Sequence, residues 1–150
     1  LKRADVVLSV GPDSAQKKFV QDWGQALNGV RHVTAHMEPL KTGMWWNGLR
    51  VMAFAGIGRP AKFYQTLREL GANIVKAQSL DDHQPLTPAL YARLEREAKS
   101  LRAQLVTTEK DAVRLPPKAR HMVLTLPVRL QVDDMPGLLA LLGFEAPPEA

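Results

Sequence analysis

The 150-residue chain is predicted to be α/β, with a mainly parallel sheet carrying helices on both faces. Short apolar, β-branched runs alternate with longer amphipathic ones along most of the sequence. The run "RVMAFAGI" at 50–57 is almost unbroken in its apolarity, as a strand buried on both faces requires. Proline near the start and glycine just past the end punctuate the amphipathic stretch 59–71, which marks it as a helix.

The elements follow in order. "ADVVLSV" (4–10) is a strand that ends at the turn signal Gly11-Pro12. Residues 13–27 space Phe19, Val20, Trp23 and Leu27 along one helical face. "RHVTAHM" (31–37) alternates Val33, Ala35 and Met37 with His32, Thr34 and His36, the pattern of a half-buried strand. Pro39, Gly43 and Asn47-Gly48 then mark turns, and Asn-Gly predicts a hairpin joining the strands on either side of it. After strand 50–57 and helix 59–71, with Phe63, Leu67 and Leu70 inward, "NIVKAQSL" (73–80) is the next strand. Thr87-Pro88 reads as an N-cap followed by proline at the first helical position. The helix it opens places Leu90, Leu94, Ala98 and Leu101 inside, with Glu95–Lys99 as an exposed i,i+4 pair. A strand at 103–108, a short helical piece at 109–115, a strand at 121–128 and a last helix at 134–142 complete the series.

Bulk properties narrow the function classes. A 45% hydrophobic composition belongs to a globular protein, with no internal repeat or low-complexity segment. Absence of cysteine excludes disulfides and thiolate zinc sites. No stretch approaches the roughly 18 apolar residues of a membrane span, and "LKRADVVLSVG" lacks signal-peptide architecture. The chain starts without methionine and its first residues already read as a strand, so it is expected to be a piece of a longer protein. The net charge of +5 favours anionic partners, but the basic residues are scattered without aromatic interleaving, which argues against nucleic acid.

Four motifs carry candidate chemistry. "GPDSAQKK" (11–18) fails as a phosphate cradle: Gln16 stands where a glycine is needed, and Lys18 where a hydroxyl must hold magnesium. "AGIGRP" (55–60) offers Gly56 and Gly58 before a helix N-terminus, where Arg59 would face a phosphate, although a tight turn explains the glycines as well. His32 and His36, about 13 Å apart along a strand, are too far from one another to share an ion and are expected on the solvent face. "TTEKDAV" (107–113) follows a strand, with Thr108 as N-cap and Asp111 reaching back to it; the alternative is a polar cluster at the strand end where open α/β sheets bind ligands. "SLDDHQPLTP" (79–88) also lies at a strand's carboxyl end. An aspartate beside a histidine makes the imidazole a usable acid–base group, whereas a solvated turn needs only the two aspartates.

Taken in order, "AFAGIGRPAKFYQTLRELG", "DDHQPLT" and "LVTTEKDAVRL" resemble the carboxyl-terminal half of the tetraacyldisaccharide 4′-kinase family, the lipid A 4′-kinases. The resemblance runs from about Arg3 to Val128, and "RADVVLSVG" is similar to the last strand region of that family's amino-terminal domain. It implies three parts. Residues 1–38 would end an incomplete nucleotide-binding domain, 39–49 would be a linker with hinge points at Gly43, Asn47 and Gly48, and 50–150 would form a second α/β domain related to P-loop kinases.

The resemblance also implies transfer of the ATP γ-phosphate, with Mg2+, to the 4′-hydroxyl of a tetraacyldisaccharide 1-phosphate at the cytoplasmic face of the bacterial inner membrane. The implied partners are that lipid A precursor, the amino-terminal P-loop domain of the same protein and, through the parent protein, the membrane surface. The family's P-loop, metal-binding acids and catalytic aspartate lie upstream, so the chain alone is expected to be soluble, without a metal site and inactive. By position, His83 matches the family's catalytic histidine, with Asp82 before it. Thr107, Glu109, Lys110 and Asp111 match a second signature; Lys110, Glu109, Asp111 and Thr108, with Arg59, are the expected substrate or phosphate contacts. A non-catalytic α/β interaction or regulatory domain is the alternative, and it predicts that His83 is dispensable in the intact protein.

Overall fold

A computed structural model describes residues 3–82 and 84–144 of the chain. Its elements are β1 (Val6–Val10), α1 (Asp13–Trp23), β2 (Arg31–Pro39), β3 (Arg50–Ala55), α2 (Pro60–Glu69), β4 (Asn73–Ser79), α3 (Pro88–Ser100), β5 (Gln104–Thr108), α4 (Glu109–Ala112), β6 (Leu124–Leu126), β7 (Val128–Val132) and α5 (Met135–Leu141). They form two compact units. One comprises the described residues up to Glu38 together with those from Arg129 onward, and the other runs from Pro39 to Val128.

The second unit is built on a four-stranded sheet of order β4-β3-β5-β6, parallel at every pairing. β3 is central and buried from Val51 to Ala55. Its alternate residues serve two cores. Val51, Ala53 and Ala55 pack with Phe63, Tyr64 and Leu67 of α2, while Met52 and Phe54 pack with Leu94 and Ala98 of α3. Helices therefore cover both faces, as expected from an apolar run without alternation. The caps also match the sequence: Thr87 accepts the Leu90 N–H at 3.2 Å, and Pro60 and Pro88 open their helices.

The first unit carries a three-stranded sheet of order β1-β2-β7, with β1 and β2 parallel. Val33 and Ala35 of β2 pack against Val132 of β7, and the Asp133 N–H donates to the Thr34 carbonyl at 3.0 Å. Asp134 caps α5 by accepting the Gly137 N–H at 2.9 Å and pairs with Arg31 at 2.6 Å. The backbone hydrogen bond comes first, and Arg31 second, in holding the Asp134 carboxyl below its ordinary range.

Several expectations are corrected. Asn47-Gly48 does not join paired strands, because β2 and β3 lie in different sheets. A half-buried alternating strand and a strand buried on both faces need different surroundings. The turn instead docks on the end of α2: the Gly48 N–H donates to the Gly71 carbonyl at 2.9 Å, and a Cβ on Gly71 would stand 2.6 Å from Asn47 Oδ1. Trp46 is buried beside it, so 46–48 belong to the second unit rather than to a free hinge. The predicted strand 121–128 is shorter and breaks around Pro127, and β7 then carries the chain into the first unit. The sequence places residues beyond 128 in the second domain, whereas the Val132 core and the Arg31–Asp134 pair tie the described ones to the first unit. Residues 24–27 form a 3-10 turn rather than extending α1.

His32 and His36 are also not simply solvent-facing. His32 Nε2 lies 2.7 Å from Ser9 Oγ with its ring against Phe19, and His36 Nδ1 lies 3.4 Å from Asp133 Oδ1.

Candidate functional site

Sheet order places the site. The chain leaves β3 towards β4 on one side, then crosses back to β5 on the other, so the topological switch lies between β3 and β5. In open α/β sheets, ligands bind beyond the carboxyl ends of the strands at such a point. Three segments distant in sequence meet there: Gly56 after β3, the turn Asp81–Gln84 after β4, and Thr108–Arg114 after β5.

Asp111 is the centre of this cluster. It is fully buried, although a carboxylate resists burial without partners. Its Oδ2 accepts the Gly56 N–H at 3.0 Å and the Thr108 hydroxyl at 2.9 Å, and its Oδ1 accepts Arg114 Nη1 at 3.0 Å. Thr108 caps α4 by accepting the Asp111 N–H at 3.2 Å. The expected capping arrangement is thus present, and the Asp111 carboxylate, besides reaching back to Thr108, also reaches across to Gly56 at the end of β3. Gly56 permits this approach: a Cβ there would stand 3.2 Å from the Asp81 carbonyl and 3.3 Å from Asp111 Oδ1.

Arg114 extends the network to the aspartate-rich turn, since its Nη2 donates to the Gln84 carbonyl. The turn closes on itself through Gln84 N–H to the Asp81 carbonyl at 2.9 Å and Asp81 N–H to Gln84 Oε1 at 3.1 Å. Leu80 and Leu86, both buried, anchor its two ends. Asp81 and Asp82 are exposed within it; His83 lies outside the described residues.

The remaining signature residues take separate places. Thr107 is fully buried and donates to the Phe54 carbonyl at 2.8 Å, clamping β5 to β3. Glu109 accepts the Val128 N–H at 3.2 Å. Lys110 and Arg59 are exposed, near the N-terminal ends of α4 and α2, outside the Asp111 network.

Tyr64 of α2 joins the site from the side, its hydroxyl 3.4 Å from Ser79 Oγ at the end of β4. Burial raises its pKa above the ordinary 10.0, the charge of Asp111 adds to this, and the hydrogen bonds to Ser79 and the Ala55 backbone oppose it.

Sequence reasoning missed Arg114 and Tyr64. Arg114 was findable, because it stands three residues after Asp111, the spacing of an intrahelical ion pair. Tyr64 gave no signal, since it reads as one more apolar-face residue of α2. Apart from this cluster, an open groove of about 500 Å³ lies between β4 and α3, lined by Lys76, Gln78, Arg93, Arg96, Glu97 and Ser100.

With the geometry in place, likeness to known proteins becomes informative. A family model described as tetraacyldisaccharide-1-P 4′-kinase matches residues 1–143. The tetraacyldisaccharide 4′-kinase of Jannaschia sp. (strain CCS1) is 58% identical over 134 residues, covering 89% of this chain and 40% of its own length. That of Dinoroseobacter shibae is 51% identical over 142 residues, covering 95% of this chain and 42% of its own length. That of Rhodospirillum rubrum is 40% identical over 146 residues, covering 97% and 42% respectively. The chain thus spans about 40% of the length of the curated relatives it matches. No solved structure matches the chain significantly.

Proposed function

The chain belongs to the tetraacyldisaccharide-1-P 4′-kinase family, and from that premise we propose that it is the carboxyl-terminal part of an enzyme moving the ATP γ-phosphate to the 4′-hydroxyl of a tetraacyldisaccharide 1-phosphate. The observation that carries this is the convergence of Gly56, Asp81–Gln84 and Thr108–Arg114 at one sheet edge, because these are segments of the three motif stretches.

Phosphoryl transfer needs positioning, charge neutralisation and a destination for the hydroxyl proton. ATP and Mg2+ supply the phosphoryl group and most of the neutralisation when bound. This chain holds no phosphate cradle of the P-loop type. Asp111 does not fit a magnesium ligand either, because Gly56, Thr108 and Arg114 already occupy both its oxygens. Nucleotide and metal are therefore assigned to the amino-terminal P-loop domain of the intact enzyme, and the chain alone is inactive.

The contribution of this chain is the turn after β4. His83, preceded by Asp82, meets the catalytic carboxylate of the other domain, orients it and tunes its proton affinity. Lys110 and Arg59, both exposed, are available to phosphate; Thr108, Glu109 and Asp111 act by holding the loops.

Among the described residues, no helix is long and apolar enough to cross a membrane. The intact enzyme meets its lipid substrate at the cytoplasmic face of the bacterial inner membrane.

The test is transfer of labelled γ-phosphate to tetraacyldisaccharide 1-phosphate by the intact enzyme and, separately, by the 150-residue chain. The expected result is a 4′-phosphorylated lipid from the first and none from the second. Failure of the intact enzyme to label the lipid, or labelling by the chain alone, would contradict the proposal.

A further inference from the structure

Granted the lipid-kinase reading above, on which this rests, we infer that Arg114 is a positioning residue: it fixes the Asp81–Gln84 turn at the carboxyl end of the sheet and thereby sets the rate of phosphoryl transfer. Its guanidinium works in two directions, Nη1 to Asp111 Oδ1 at 3.0 Å and Nη2 to the Gln84 carbonyl. Asp111 is a fixed point, fully buried, with Oδ2 held by the Gly56 N–H and the Thr108 hydroxyl. The Asp81–Gln84 hydrogen bonds shape the turn from within, and the burial of Leu80 and Leu86 holds its ends. Arg114 adds a directed hold at the turn itself.

Arginine suits this task because its planar fork presents donors to two acceptors at once, whereas a lysine ammonium is a single point charge on a flexible stem. Geometry at this turn matters because misplacing a group by about 1 Å, even from a change remote from the chemistry, costs on the order of 10²-fold in rate.

The test uses the intact enzyme with ATP and tetraacyldisaccharide 1-phosphate, comparing Arg114→Ala, Arg114→Lys, His83→Ala and the double variant His83→Ala/Arg114→Ala. The first should lower kcat on the order of 10- to 100-fold while leaving KM for both substrates within about twofold. Guanidinium ion added to Arg114→Ala should restore part of the rate. Arg114→Lys, which keeps a charge beside the buried Asp111, should fold and remain impaired in kcat. In the double variant the Arg114 loss should vanish, leaving the rate of His83→Ala alone, because Arg114 acts through Gln84, the residue next to His83 in sequence.

Full kcat in Arg114→Ala, a rise in KM alone, or multiplied losses in the double variant would overturn the proposal. So would failure of Arg114→Lys to fold, which would make Arg114 a residue of the fold only. The levels separate cleanly. Failure of the unmutated enzyme to phosphorylate the lipid sinks the functional reading itself, an unimpaired His83→Ala enzyme sinks the role given to the turn, and an impaired His83→Ala beside a fully active Arg114→Ala sinks this inference alone.

Discussion

Replacing Asp111 by alanine removes the acceptor that joins the end of β3 to the Thr108–Arg114 segment and, through Arg114, to the turn after β4. The Gly56 N–H, in hydrogen bond at 3.0 Å, is left buried and unpaired, which costs about 1–3 kcal/mol. The Arg114 guanidinium loses its partner as well, but its side chain is 26% exposed and turns partly to water, so its share falls at the low end. Breaking a buried ion pair by removing one partner costs about 3–5 kcal/mol, and the discount for Arg114 brings the expected loss to about 3 kcal/mol. That is a large fraction of the roughly 5–15 kcal/mol that keeps a domain folded. Urea denaturation followed by circular dichroism measures it. With a slope of about 2 kcal/mol per molar, the midpoint should fall by roughly 1.5 M. Asp111→Asn, which keeps the shape and one acceptor oxygen, should lose less. A loss below about 1 kcal/mol for the alanine variant would refute the view that this carboxylate organises the site.

Other perturbations follow from the same geometry. Gly56→Ala brings a methyl to 3.2 Å from the Asp81 carbonyl and 3.3 Å from Asp111 Oδ1, so denaturation should show a loss of about 1 kcal/mol and amide exchange at Gln84 should accelerate. Unchanged exchange would mean that the turn does not lean on β3. Thr87→Ala deletes the N-cap of α3 and should cost about 1 kcal/mol, while Thr87→Ser should cost little. Tyr64, raised above 10.0 chiefly by burial, should ionise later than a free phenol in the absorbance difference between the parent and Tyr64→Phe. Its folded pKa exceeds its unfolded one, so its contribution to stability is complete below pH 10.0 and is lost as pH rises through the folded value. A difference titration centred at or below 10.0 would contradict the buried placement.

Most of the second unit was legible because its signals are local. An apolar run without alternation made β3 central, Thr87-Pro88 and Pro60 announced α3 and α2, and Gly71 closed the second of these. What escaped depends on contacts between distant residues. Asn47-Gly48 has hairpin chemistry, but its partner is Gly71 rather than a neighbouring strand. The return of β7 to the first unit is visible only once Val132 packs with Val33 and Ala35. At the site, position relative to strand ends placed the Asp82 and Asp111 segments correctly at carboxyl edges. That Asp111 faces inward to Gly56 and Arg114 could not be read, since a capping aspartate and a buried one share the same spacing.

The central claim is that the turn after β4 takes part in phosphoryl transfer rather than merely closing the chain. The most direct measurement is the single-turnover rate of ATP-dependent 4′-phosphorylation by the intact enzyme carrying His83→Ala, against the unmutated form, both matched for folding by circular dichroism. The account predicts a loss on the order of 10²-fold or more, as for a group that handles protons. A rate within about threefold of the parent would contradict it and leave the aspartate-rich turn a solvated connection.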